Sequence, residues 1–230
     1  MKEAFDFLKH YNYGEDRGPL KPLEEAIVNS HGDENARKEI EAGLIEVLNN
    51  KKGSRKGKDY ACRKLKIVGT DACVDALAGK LNDNSHSHMA RFALQSIPTE
   101  AATNALIGAL SKVGGELKAG VIGSLGARGD QSAVSAIAGM LGDGNTTIAR
   151  SAACALGAIG GKEAADALAA AKPSDAIMGD VMDATLSCAE ALLESGDKVA
   201  ALSIYKKLST NPAKHIKLAA TRGMLACAGK

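Results

Sequence analysis

The apolar positions between Ala102 and Gly160 recur at a fixed interval of 31 residues. Ala102, Ala105, Leu106, Gly108 and Leu110 return as Ala133, Ala136, Ile137, Gly139 and Leu141, and LGARG at Leu125 to Gly129 returns as LGAIG at Leu156 to Gly160. Within one copy, Ala133, Ala136, Ile137, Met140 and Leu141 fall at i, i+3, i+4, i+7 and i+8, while Asp130, Ser132 and Ser135 lie off that stripe. Such spacing puts the apolar side chains on one face of a helix. It predicts a first helix over 133–141. The loop GDGN (142–145) tolerates a tight turn, and Thr146 can cap a second helix. That helix carries Ile148, Ala152, Leu156 and Ile159 and stops at Gly160 and Gly161. Neither helix buries its stripe alone, so each hairpin must lean on the next. The predicted fold class is all-α, an α-α superhelix of about six to seven stacked hairpins.

The remaining pattern extends this reading in both directions. Residues 1–19 hold Phe5, Phe7, Tyr11 and Tyr13, four of the seven aromatic residues, and read as an N-terminal cap, with a ligand-stacking cluster as the alternative. After a break at Gly14 to Pro22, helices are expected over 20–29 and 34–48. The polar loop KKGSRKGK (51–58) precedes a helix at 59–68, followed by 70–81 and by 88–97, which Pro98 closes. Beyond the two best copies come 163–171, 176–193, 198–208 and a closing helix at 214–228. The expectation is one elongated domain over 1–230, with repeats over 20–213 and a C-terminal capping helix at 214–230.

IARSAACALGAIG (148–160), preceded by the AIAGML core (136–141) and a loop Asp, resembles the HEAT repeat family, in particular the short bacterial HEAT-like repeats first associated with phycobilisome lyases. The resemblance implies an armadillo-like solenoid. It also implies a ladder between a loop Asp and an Arg of the second helix, the places held by Asp143 and Arg150. The same alignment puts His88 and Ala119 where Arg150 stands, so the ladder is patchy. Second helices line the concave face in such stacks. Partner contacts are therefore expected from Arg63, Lys66, His88, Phe92, Gln95 and Arg150, with Phe92 either a hydrophobic anchor or a core residue. YNYGEDRGPL (11–20), CRKLKIVGT (62–70) and AEALLESGDKVAALSIYKKL (189–208) are similar to the HEAT module of large multidomain bacterial proteins, some of which carry sugar-processing or haem-binding domains elsewhere. That similarity implies an accessory role.

Charge adds a direction. The chain of 230 residues has a formal net charge of only +2, but along a stack local sums acquire spatial meaning. Residues 1–50 carry 6 basic and 11 acidic side chains, 51–66 carry 8 and 1, 67–196 carry 8 and 14, and 197–230 carry 7 and 1. The band holding Lys51, Lys52, Arg55, Lys56 and Lys58 reads as a basic patch for an anionic partner, or as a solvated loop. Aromatic residues make up 3% and there is no Trp, which leaves little for base stacking. The five cysteines form no CxxC pair and read as buried apolar residues, with a Cys62 to Cys73 bridge left open. Mean hydropathy is −0.09 and no apolar run approaches a membrane-spanning length of about 18 residues. Residues 1–20 lack a signal-peptide core, so a cytoplasmic chain is the default expectation, or an extracytoplasmic one if this is an excised domain.

Candidate chemistry is sparse. Asp83, His86 and His88 cluster near one helix start, a weak metal-binding signal, and Asp180 and Asp183 share a helix face with Glu190. No phosphate-binding or nucleophile motif follows a strand pattern. The reading is therefore a non-catalytic, monomeric scaffold without cofactor or metal that binds protein or peptide. The alternatives are a nucleic-acid-binding HEAT protein acting through 51–66, or a lyase-like bilin-binding one.

Overall fold

The computed structural model describes residues 1–229, and no strand occurs among them. Its helices are α1 (Lys2–His10), α2 (Lys21–Asn29), α3 (Glu34–Asn49), α4 (Arg55–Val68), α5 (Val74–Ala78), α6 (Ser87–Leu94) and α7 (Glu100–Ala109). They continue with α8 (Gly115–Arg128), α9 (Val134–Ala138), α10 (Thr146–Ile159), α11 (Gly161–Ala170), α12 (Met178–Glu194), α13 (Lys198–Leu208) and α14 (Lys214–Cys227). None is long and apolar enough to cross a membrane.

The chain gathers into two compact units, Met1–Val113 and Gly114–Lys230. In the first, α4 packs on α6 and α5 on α7, while α3 closes against α4 and α5. Helix α1 lies against α2, α3 and α4, burying Ala4 and Leu8. In the second, α8, α10 and α12 form one row, α9 and α11 pack beside it, and α13 and α14 complete the stack on α12.

Both repeat copies bury the stripe that their spacing requires. Ala102, Leu106, Leu110 and Leu125 of the first copy, and Ala133, Ile137, Leu141, Ile148, Ala152 and Leu156 of the second, are all in the core. In two hairpins the first helix is shorter than its apolar pattern suggests. Gln131–Ala133 is a 3-10 turn, α9 spans Val134–Ala138, and Met140 and Leu141 follow in turns closed on Ile137 and Ala138 (2.9 and 3.1 Å). Asp71–Cys73 and α5 repeat the arrangement. Three-residue turns still present i and i+3 on one side, so Leu81 and Leu141 reach the core without a continuous helix.

Two glycines set the spacing of the second unit. A Cβ at Gly126 on α8 would lie 2.7 Å from the Ala155 Cα on α10, and one at Gly157 on α10 would lie 2.9 Å from the Ala184 Cα on α12. The positions are equivalent in successive copies. Helix backbones thus approach where only hydrogen stands between them, and alanines on the facing helix complete the contact.

Arg150 makes its bond to the following hairpin. Its Nε donates to the Asp180 Oδ2 at 3.0 Å and its Nη2 to the Ala176 carbonyl at 3.4 Å. Asp143 instead accepts the Asn145 N–H at 2.9 Å, which tightens its own loop. The rung therefore joins Arg150 to Asp180 of the following hairpin, while Asp143 serves the turn ahead of α10.

Candidate ligand-binding site

The basic segment folds differently from a loop. Ser54 caps α4 by accepting the Gly57 N–H at 2.9 Å, and its hydroxyl donates to the Tyr11 carbonyl. Its own N–H donates to the Lys9 carbonyl at 2.8 Å. Residues 55–58 are consequently the first turn of the helix. Lys56, Tyr60, Arg63, Lys64 and Ile67 then fall at i, i+4, i+7, i+8 and i+11, one face of α4. The two bonds from Ser54 bring the chain after α1 across that face.

The result is a recess of about 200 Å³ between α4 and residues 11–17, lined by Tyr11, Tyr13, Arg17, Lys56, Tyr60, Arg63, Lys64 and Ile67. The Tyr11 ring meets Tyr60 edge-on at 6.4 Å between centroids. Lys56 Nζ stands 4.0 Å from the centre of the Tyr13 ring, and Lys64 Nζ and Arg17 lie 5.0 and 5.9 Å from that of Tyr60. These are attractive cation–π distances. Arg63 Nη2 donates to the Tyr13 hydroxyl at 2.8 Å.

One carboxylate balances these charges. Glu24 Oε1 takes the Arg17 Nη2 at 2.6 Å and the Tyr60 hydroxyl at 3.0 Å, with Lys64 Nζ at 3.6 Å. Burial works to raise the Glu24 carboxyl, but the Tyr60 hydrogen bond, Lys64 and Arg17 outweigh it and hold it below the ordinary carboxylate value. Burial and the same carboxylate push the Tyr60 phenol well above its usual range. The bond to Glu24 raises Arg17 further. Of the four cations that line the recess, Arg17 and Lys64 therefore share one internal anion.

The other residues singled out in the sequence are divided. Lys66 and Phe92 meet, with Lys66 Nζ 4.1 Å from the centre of the Phe92 ring. Phe92 is 36% exposed and is a surface residue rather than part of the core. His88 is exposed on α6, and Gln95 is half-buried in the turn that ends it. Arg150 lies in the second unit and is tied to Asp180, so it is no part of this constellation. Lys51, Lys52 and Arg55 are exposed, but Lys58 is only 9% exposed. It leaves the surface patch because α4 starts early and position 58 falls off the face that carries Lys56 and Tyr60.

His86 Nδ1 pairs with the Asp83 Oδ2 at 2.9 Å, an interaction that lowers the Asp83 carboxyl. Among the described residues no group of three or more His, Cys, Asp or Glu side chains could hold a metal ion. Cys62 and Cys73 are separate buried thiols, both pushed up to about 12 chiefly by burial.

Tyr11 and Tyr13 belong to the aromatic cluster expected as a cap or a ligand-stacking group, whereas Glu24, Tyr60 and Ile67 were the parts of the site that the sequence did not single out. Their usable signal was the spacing of Lys56, Tyr60, Arg63, Lys64 and Ile67, which becomes one face only once the helix is extended back to Arg55.

Residues 103–178 match the family described as HEAT repeats. No curated protein sequence matches this chain. Among solved structures, one engineered protein aligns over 100% of this chain and 98% of its own, at 16% identity and a TM-score of 0.39. A second engineered protein aligns over 99% of this chain and 69% of its own, at 16% identity and a TM-score of 0.44. Human deoxyhypusine hydroxylase in complex with glycerol aligns over 82% of this chain and 96% of its own, at 15% identity and a TM-score of 0.40. The segment 103–178, which takes in all but the first residue of the two best sequence copies, matches HEAT repeats, and the described residues of the chain are helical without strands.

Proposed function

We propose that this chain is a non-catalytic HEAT-type scaffold whose first unit binds an acidic protein or peptide segment. The observation that carries the reading is the combination on α4 and α6. Between 51 and 66 the sequence holds one acidic residue, Asp59, and that residue is itself buried. Lys51, Lys52, Arg55, Arg63 and Lys66 stand exposed along and ahead of α4, and Lys66 lies over the partly exposed Phe92 ring. A run of exposed cations with an aromatic side chain at one end is suited to an acidic polypeptide.

The cation–π contacts favour polypeptide over nucleic acid. A cation already occupies one face of Tyr13, Tyr60 and Phe92, which leaves less aromatic surface for successive bases to stack on. The recess also holds its ionisable pair away from proton transfer near neutrality. Glu24 is shifted down and Tyr60 up, the reverse of the convergence that acid–base catalysis requires.

The test is calorimetric titration with a glutamate-rich peptide across a salt series, alongside duplex DNA. Salt-sensitive peptide binding, weakened about tenfold by Phe92→Ala and more by reversing Lys51, Lys52 and Arg55 to Glu, supports the reading. Tighter binding of the duplex than of the peptide at equal salt overturns it in favour of nucleic acid, and binding indifferent to the three reversals overturns it altogether.

A further inference from the structure

We infer that the recess between α4 and residues 11–17 takes a carboxylate carried on an apolar body, as at the C-terminal residue of a peptide or in a free aromatic acid. This deepens the binding reading above by naming what enters the recess, and it rests on three features of the site.

The first is the mode in which Glu24 is already held. A single carboxylate oxygen receives a guanidinium, a phenolic hydroxyl and an ammonium at once (2.6, 3.0 and 3.6 Å), so the site shows how it solvates a carboxylate. The second is the charge left over. Lys56 has its nearest carboxylate, Asp59, only at 3.9 Å, and Arg63 is bonded by one nitrogen to Tyr13, with no carboxylate paired to it among the described residues. A planar guanidinium held from one side presents the rest of its fork to a second carboxylate. The third is the wall. Three tyrosine rings and the Ile67 side chain face a space of about 200 Å³, room for one ring-sized group rather than for a length of polymer. A compact dianion such as phosphate would be desolvated against these rings without filling them, whereas a carboxylate on a ring places charge at the cations and hydrocarbon against the walls.

The probes are N-acetyl-L-phenylalanine, its C-terminal amide, and a short peptide ending in phenylalanine as acid and as amide. Binding is read by calorimetry and by tyrosine emission. The protein has no Trp, and three of its four tyrosines line the recess, so emission reports on this site once Tyr205→Phe has removed the remaining contribution. Each acid is expected to bind at least about tenfold more tightly than its amide. Arg63→Ala and Lys56→Ala should each narrow that preference while leaving the helical circular dichroism unchanged. A tighter peptide acid identifies a chain terminus as the source, and a tighter N-acetyl-phenylalanine identifies a free acid.

Equal binding of acid and amide, no binding of either, or displacement of the acid by inorganic phosphate at comparable concentration would overturn the inference. The glutamate-rich peptide keeps the two readings apart. Its retention in a protein that ignores all four phenylalanine probes removes the recess assignment alone, whereas loss of peptide binding with the acid preference intact removes the acidic-partner reading alone.

Discussion

Glycines 123 and 126 sit one turn apart on α8 and offer a matched test of how the second unit is packed. A Cβ at Gly123 meets nothing within 4 Å, whereas one at Gly126 meets the Ala155 Cα at 2.7 Å and its Cβ at 2.8 Å. In each case alanine gains about 1 kcal/mol of helix propensity over glycine. That gain cancels when the two variants are compared. What remains is the cost of forcing α10 away from α8, and the atoms in the way belong to backbone and Cβ, which cannot rotate aside. Overpacking of this kind costs roughly 1–3 kcal/mol. Gly123→Ala should therefore raise the unfolding midpoint of the second unit and Gly126→Ala should lie below it by that difference, or roughly 2–12 °C at about 2–4 °C per kcal/mol. Thermal melts followed by circular dichroism, checked by urea midpoints, supply the measurement. A Gly126→Ala protein as stable as Gly123→Ala would refute the close approach of α8 and α10.

Four further outcomes follow from the same structure. Leu156→Ala, at a fully buried position of the repeat, should cost about 2–5 kcal/mol in chemical denaturation; a loss under about 1 kcal/mol would mean that the stripe is misassigned. Glu41 is 2% exposed and accepts the Thr70 N–H and hydroxyl at 2.7 and 2.8 Å, so Glu41→Ala should cost about 1–3 kcal/mol by leaving that buried turn without its acceptor. In a maleimide time course Cys154, the exposed thiol, should react ahead of Cys62, Cys73 and Cys188, whose burial pushes them up to about 12, 12 and 11; equal rates would contradict the burial. Glu24 is depressed from an ordinary value of 4.5, so its contribution is present above that value and is lost as pH falls through the lower, folded-state value. Tyrosine emission should change in that acidic window, and a Glu24→Gln protein should lose the transition.

Much of the architecture was legible because burial in a hairpin stack is periodic. Leu125 and Leu156 had to repeat, and both are fully buried. The first helices were overestimated at 70–81 and 133–141 because i, i+3 spacing is shared by a short helix and by the 3-10 turns that flank it. The basic segment was read as a loop through Lys58 for want of one fact, that the Ser54 hydroxyl caps a helix starting at Arg55. Arg63, Lys66 and Phe92 are all exposed, yet nothing local separated Arg63, which bonds to Tyr13, from Lys66, which covers Phe92.

The amino-acid order by itself determined that this chain is helical, that its helices come in pairs and where the repeating apolar faces lie, since each of these follows from contacts a few residues apart. Only the tertiary structure decided which polar groups meet. The recess joins residues 11–17 to 56–67 through the Ser54 bonds, and Glu24 and Tyr60 reach each other from α2 and α4 across 36 positions. Such encounters depend on how helices pack, and a pattern of local spacing carries no information about them.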